Sequence, residues 1–334
     1  MDMIKIIASD LDGTLLYNGQ LSKNNYMAVK QLQDNGIEFV MASGRNITEI
    51  KLVDFRDIVC PKVLINGGVV VDEDYNVISA TYMSYEEMAT ILDYINKYKV
   101  GAIFYGTEKR FGVNVEIMAD SFKADGDVFG SNFFNDLKEI KSLDEIDVDI
   151  CKVEVMDGVR FDMLKEMADK ILTTKNFGVT SSYPNNIEVT PLNVDKFRGL
   201  KSIMDKYGYK DDEVAIFGDS DNDFELFENV TESYAMGNAN ERIKSHAKYV
   251  IGSCKDDGFY LEVMKILHSK KYFQIYYWHI ILLVRKYSQG DEEKSTQRGT
   301  CRESWLRWNK IVKLRGTWST EPLLLIVVAV VHTL

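Results

Sequence analysis

Two clusters of carboxylates, far apart in the chain, are where this protein could do chemistry. The first is Asp10-Leu11-Asp12-Gly13-Thr14 and the second is Gly218-Asp219-Ser220-Asp221-Asn222-Asp223. Each follows a short apolar run, Ile4 to Ala8 in one case and Val214 to Phe217 in the other. Acidic residues before glycine commonly build turns or helix caps, and either cluster alone reads that way. Two such clusters at the ends of buried strands point elsewhere. Crowded carboxylates repel, so they call for a cation or a shared proton, and a hard dication such as Mg²⁺ would satisfy them. Carboxylates beyond the number needed as ligands can then serve as a nucleophile and a proton carrier.

An anionic substrate would also need donors and positive charge. Ser43 and Gly44 close another apolar run, and Lys196 opens a helical pattern. A lone serine is usually a cap and a lone lysine usually solvated; these gain meaning from lying between the acidic turns. No histidine precedes His246, so the N-terminal cluster has no imidazole base and Ser-His-Asp chemistry is disfavoured there. A carboxylate nucleophile, with an unperturbed pKa of about 4, is ionised at neutral pH and needs none.

The elements that must position these residues follow an α/β rhythm. Ile4 to Ala8 reads as a buried strand. A helix follows, capped by Ser22, with Ala28, Val29 and Leu32 on its apolar side and Gly36 ending it. Strands are expected at Ile37 to Ala42 and Val63 to Ile65, the latter delivering Asn66, Gly67 and Gly68. This order predicts a parallel sheet, with ligands beyond the carboxyl ends of its strands. From Tyr82 the rhythm changes. Ser84 and Glu87 form a capping box for a helix carrying Met88, Ile91, Leu92 and Ile95; an alternating strand, Cys151 to Val155, and a helix over Phe161 to Ile171 come later. The α/β pattern then resumes with a helix carrying Leu200, Ile203, Met204 and Tyr207. The expected organisation is a discontinuous core domain, 1–81 and 189–268, interrupted by an inserted α+β domain over 82–188.

The 334 residues are 46% hydrophobic and 27% charged, which disfavours disorder and fibrous classes. A net charge of −11 argues against nucleic acid as a partner. Cys60, Cys151, Cys254 and Cys301 are singletons, which predicts reduced thiols in place of a disulfide framework or zinc site. The acidic start lacks the features of a secretion signal, and a cytoplasmic location is expected. Residues 269–334 differ in kind: they hold all four tryptophans, and eleven Lys and Arg against five Asp and Glu, leaving the first 268 residues at −17. Their apolar stretches, Tyr272 to Val284 and Leu323 to Val331, are shorter than the roughly 18 residues of a membrane span. Membrane contact through this tail is the minor expectation, an extension without a chemical role the major one.

The ordered set Asp10 to Thr14, Ser43-Gly44-Arg45, Lys196 and Gly218 to Asp223 resembles the four motifs of the haloacid dehalogenase (HAD) superfamily, and most closely its Cof-type phosphatase branch. Asn66-Gly67-Gly68, Ala235 to Ala239 and Asp256-Asp257-Gly258 support the resemblance, which covers about residues 3 to 267. It implies a Rossmann-like parallel-sheet HAD core with an inserted α+β cap domain that selects the substrate. It further implies that Asp10 takes the phosphoryl group as an aspartyl phosphate and that Asp12 is the acid and base. Mg²⁺ would sit on the carboxylates of Asp10 and Asp219 and the carbonyl of Asp12, with Asp223 and Ser220 in support. Ser43, Lys196, Asn222 and the backbone amides of Leu11 and Gly44 would hold the phosphoryl oxygens. The expected substrate is a small phosphorylated metabolite, by default a sugar phosphate. The alternatives are a phosphotransferase or mutase using the same intermediate, and a non-catalytic phosphate-binding protein with a membrane-associating tail. Two positions depart from the pattern: Phe197 and Asn193 stand where the branch usually has glycine, and Arg45 would serve either the substrate or a neighbouring acid.

Overall fold

A computed structural model describes residues 4–124, 137–157, 160–181 and 185–268. The tail expected over 269–334 lies outside the described residues, as does Cys301. The main sheet has eight strands in the spatial order Tyr249–Val250, Glu232–Ala235, Val214–Gly218, Ile6–Ser9, Glu38–Ala42, Lys62–Leu64, Val69–Val71 and Val77–Ala80. The first six run parallel; the last two form an antiparallel edge. The central strands are buried on both faces, which is why they read as unbroken apolar runs. Ile7, Phe39 and Phe217 pack to one side with Phe259, while Ile6, Val40, Val63 and Ile216 pack to the other against Leu200 and Ile203.

The helix Lys23–Asp34 is capped by Ser22, whose side chain accepts from the Asn25 amide, and it buries Ala28, Val29 and Leu32 as expected. Gly36 follows it in the left-handed region. The strand expected to run through Ile65 stops at Leu64. Ile65, Asn66 and Gly67 instead form a tight turn with φ of +52°, +54° and +95°. A β-branched residue with positive φ is costly in isolation. Here tertiary bonds hold it: the Ile65 amide donates to the Arg45 carbonyl and the Asn66 amide to the Ser43 carbonyl, each at 3.0 Å.

The inserted α+β cap is built on a six-stranded sheet ordered Leu137–Glu139, Arg110–Val113, Gly101–Gly106, Ile150–Met156, Asn186–Pro191 and Phe177–Thr180. Helices Tyr85–Tyr98 and Phe161–Thr173 cover one face, burying Ile91, Ile95, Leu164 and Met167 against Phe104, Val153 and Val189. The Ser84–Glu87 capping box starts the first of them. The alternating strand expected at Cys151 to Val155 lies within Ile150–Met156, which is buried throughout. The polar face is turned toward the main sheet's strand ends, not toward water. No helix among the described residues is long and apolar enough to cross a membrane.

Candidate active site

Ile6–Ser9 pairs on one side with Glu38–Ala42 and on the other with Val214–Gly218. The chain leaves this strand in one direction and returns on its other flank, so a crevice opens at the carboxyl ends where the strand order reverses. Ser9 is in register with Phe217, and the Asp10 amide donates to the Phe217 carbonyl at 2.9 Å. Asp10 and Asp219 are therefore the first residues beyond neighbouring strands, one position apart in register. Gly13, at φ +88°, makes the turn that follows; a Cβ there would lie 2.3 Å from Asp219 Oδ2.

Carboxylate oxygens of Asp10, Asp219 and Asp223 all lie within 4.8 Å of one another. The fully buried Lys196 ammonium donates to Asp10 Oδ1 at 2.6 Å and to Asp223 Oδ1 at 2.7 Å. Asp223 Oδ2 accepts from the amides of Asp219 and Ser220. Asp219 accepts from Thr14 Oγ1 at 3.1 Å and from Asn238 Nδ2 at 3.1 Å. Burial drives the Asp10 carboxyl well above its ordinary range, Lys196 opposes this, and Asp223 and Asp219 add to it. Burial and the Asp223 charge push Asp219 up to about 7. One lysine among three carboxylates leaves negative charge uncompensated. Asp10 Oδ2 is moreover buried and accepts no hydrogen bond among the described residues. An orphaned carboxylate oxygen in an all-oxygen donor set fits a hard divalent cation.

Asp12 lies outside that trio. Its two oxygens accept from Arg45 Nε and from an Arg45 terminal nitrogen, both at 2.7 Å. Arg45 thus pairs with an acid, one of the two roles weighed for it. Ser43 is buried, and its hydroxyl oxygen accepts from the Arg45 amide at 3.2 Å. The Leu11 side chain is in the hydrophobic core, leaving only its backbone near the site. Asn222 is buried, with Nδ2 donating to Asn66 Oδ1 at 3.2 Å and Oδ1 accepting from Ser220 Oγ at 2.9 Å.

Lys196 is the first residue of the helix Lys196–Tyr207, capped by Asp195. The departures from the glycine pattern are absorbed locally. Asn193 adopts φ +63°, a conformation asparagine tolerates better than most residues. Phe197 packs half-buried on the core, and close helix approach falls to Gly199, whose Cβ would meet Val63 Cγ1 at 2.5 Å.

The polar face of the cap forms a roof. Strand register brings Lys152 opposite Tyr105 and Glu154 opposite Glu188, on the same face. Tyr105 and Asn186 both donate to Glu154, at 2.8 and 2.6 Å. Lys152 donates to Glu188 Oε1 at 2.8 Å and to the Gly44 carbonyl at 3.0 Å. Asn66 Nδ2 donates to Glu188 Oε2 at 2.6 Å. The sequence assigned no role to Lys152 or Glu188, and marked Asn66 and Asn238 only as members of motifs. The polar positions alternating with Cys151, Val153 and Val155 were the available signal; the face they occupy is set by tertiary packing.

A family model described as haloacid dehalogenase-like hydrolase matches residues 7–263. The chain is 28% identical over 275 residues to a Bacillus subtilis 5-amino-6-(5-phospho-D-ribitylamino)uracil phosphatase, covering 76% of this chain and 95% of that protein. It is 27% identical over 282 residues to an Escherichia coli phosphatase of the same description, covering 81% and 98%. Among solved structures, a haloacid dehalogenase-like hydrolase from B. subtilis superimposes with a TM-score of 0.70 at 22% identity, covering 78% of this chain and 99% of the other. A subclass IIB sugar phosphatase of the same superfamily does so with a TM-score of 0.68 at 20% identity, covering 78% and 98%.

Proposed function

The chain belongs to the haloacid dehalogenase-like hydrolase family and is a phosphoric monoester hydrolase, and we propose that it cleaves small phosphomonoesters in two steps through an aspartyl phosphate on Asp10. The observation that carries this reading is the buried Asp10, with one oxygen on Lys196 and the other, beside Asp219 and Asp223, accepting no hydrogen bond among the described residues. The carboxylates of Asp10 and Asp219 and the carbonyl of Asp12 would hold Mg²⁺, which when bound supplies positive charge beside the phosphoryl oxygens and keeps both carboxylates ionised.

In the first step a carboxylate oxygen of Asp10 bonds to phosphorus as the ester bond breaks, and Asp12 gives its proton to the leaving oxygen. Both Asp12 oxygens are occupied by Arg45, so Arg45 releases at least one before Asp12 carries a proton. In the second step Asp12 takes a proton from water, the water oxygen bonds to phosphorus, and Asp10 departs as a carboxylate. Lys196, Ser43, Asn222 and the amides of Leu11 and Gly44 hold the phosphoryl oxygens, where charge spreads in the transition state.

The two relatives named above are phosphatases of a compound whose phosphate ends a ribityl chain. Together with the hydrogen-bonding roof of Tyr105, Lys152, Glu154, Asn186 and Glu188, this supports a polyhydroxylated leaving group, sugar phosphates included. The test is release of inorganic phosphate from a panel of phosphorylated metabolites with Mg²⁺ and with EDTA. Mg²⁺-dependent release is expected. Silence across the panel rejects the substrate class, and an undiminished rate in EDTA rejects the metal assignment.

A further inference from the structure

Three hydrogen bonds among four side chains link the roof to the acidic turn in one unbroken row: Glu188 Oε2 accepts from Asn66 Nδ2, Asn66 Oδ1 accepts from Asn222 Nδ2, and Asn222 Oδ1 accepts from Ser220 Oγ. Glu188, Asn66 and Asn222 are all buried, so water cannot substitute for a missing partner. The row also crosses between the two sheets, since Glu188 belongs to the strand Asn186–Pro191 and Asn66 to the turn after Lys62–Leu64.

The direction of the row is dictated from its roof end. Burial raises Glu188, but the Lys152 ammonium and the bonds from Lys152 and Asn66 more than offset it, so the carboxyl falls below its ordinary value and is ionised at neutral pH. An ionised carboxylate only accepts. Asn66 must therefore turn its NH₂ toward Glu188, which turns its carbonyl oxygen toward Asn222. Asn222 must in turn present NH₂ to Asn66, and the carbonyl of Asn222 is left facing Ser220. An amide NH₂ has two hydrogens, so one remains for a ligand. Were the row reversed, Asn222 would offer a carbonyl oxygen, which repels an anion.

The backbone is built to allow this row. Asn66 sits at φ +54° between two further positive-φ residues, and a Cβ on Gly67 would lie 2.1 Å from the Asp195 carbonyl oxygen, so the turn is packed directly on the start of the Lys196 helix. A Cβ on Gly44 would lie 3.0 Å from Asn66 Oδ1 and 3.3 Å from Glu188 Oε1. Strain held in place by packing is typical of a position where geometry matters to function.

We propose that Glu188 and Asn66 are positioning residues: through the orientation of the Asn66 amide, the roof carboxylate makes Asn222 present its NH₂ to the phosphoryl oxygens, and so couples the seated cap to phosphate binding. This deepens the phosphatase reading and rests on its assignment of Asn222. The coupling acts on polarity and not on shape, which makes it separable from a packing role.

Four full-length proteins decide it: the unaltered chain, Glu188→Gln, Asn66→Asp, and the double variant. Glu188→Gln keeps volume and shape but no longer dictates direction. Asn66→Asp keeps a residue that tolerates positive φ but sets a carboxylate against Glu188, and the repulsion between the two drives the side chain at 66 out of its place against Asn222. In the double variant the carboxamide introduced at position 188 can donate to the carboxylate introduced at position 66, which still accepts from Asn222, restoring the original direction. Affinity for orthophosphate, measured by calorimetry with Mg²⁺ present, should fall about tenfold or more in each single variant and return to within about threefold of the unaltered chain in the double. Unchanged affinity in folded single variants, or a double variant no better than the weaker single, overturns the proposal. So does an unaltered chain that binds no orthophosphate. Because binding needs no turnover, a chain that binds orthophosphate but hydrolyses no ester rejects the phosphatase reading while the four affinities still decide the coupling.

Discussion

Lys196 Nζ lies 2.6 Å from Asp10 Oδ1, although 186 positions separate the two residues in the chain. The lysine has no exposed surface, and its ammonium also donates to Asp223 Oδ1 at 2.7 Å. A buried ammonium between two carboxylates is held by them and holds them in place, since removing either kind of charge leaves the other desolvated and unpaired.

Lys196→Met should therefore cost about 3–5 kcal/mol of stability and lower kcat by at least about a hundredfold. Urea unfolding and phosphate release measure the two losses. A variant as stable as the parent would mean that the ammonium is not compensating the carboxylates.

The metal-free site should make stability fall with pH. Asp219 titrates near 7 in the fold, against about 4 in an unfolded chain. Between those values the folded state holds a proton that the unfolded state has released, so this group's contribution is fully present below about pH 4 and lost as pH rises through about 7. In EDTA, Asp219→Asn should therefore gain in Tm relative to the parent as pH rises across that window. Adding Mg²⁺ to the parent should narrow the gap. Parallel Tm curves for the two proteins would contradict the titration.

Gly13→Ala tests how closely the first turn abuts the second. Its Cβ would fall 2.3 Å from Asp219 Oδ2, at a φ of +88° that alanine adopts poorly. Asp219 must shift, so the Mg²⁺ concentration for half-maximal activity should rise by about tenfold or more, the equivalent of roughly 1.4 kcal/mol. A metal titration that overlays the parent's would separate Asp219 from the metal.

Arg45 should act through Asp12. Its guanidinium holds both Asp12 oxygens, so Arg45→Ala is expected to lower kcat by about tenfold in the parent. In an Asp12→Asn background it should have little further effect, because the group it orients is gone. Multiplicative losses in the double variant would show that Arg45 serves the substrate directly.

Much of the architecture was legible because it is written in local periodicity. Apolar runs buried on both faces marked Ile6–Ser9, Glu38–Ala42 and Val214–Gly218 to within two residues. Ser22, Ser84 and Glu87 announced helix starts through caps made by the same residues. The turn at Ile65 was not legible, since nothing local favours positive φ at a β-branched residue; bonds to the Ser43 and Arg45 carbonyls hold it. The choice between two roles for Arg45 was open for the same reason, as its partner Asp12 is 33 positions away.

By itself the sequence determined the kind of chemistry available: acidic turns at the ends of buried strands, a serine and a lysine between them, and no histidine nearby. Those are properties of residue type and short-range order, and they survive without knowledge of what touches what. Only the tertiary structure decided which atoms meet. Sheet register brought Asp10 beside the strand end that carries Asp219, helix packing drove Lys196 between Asp10 and Asp223, and the seating of the cap turned Lys152 and Glu188 inward. Such contacts depend on how distant strands pair and which face each sheet buries, and a one-residue slip in register would reverse every one of those faces.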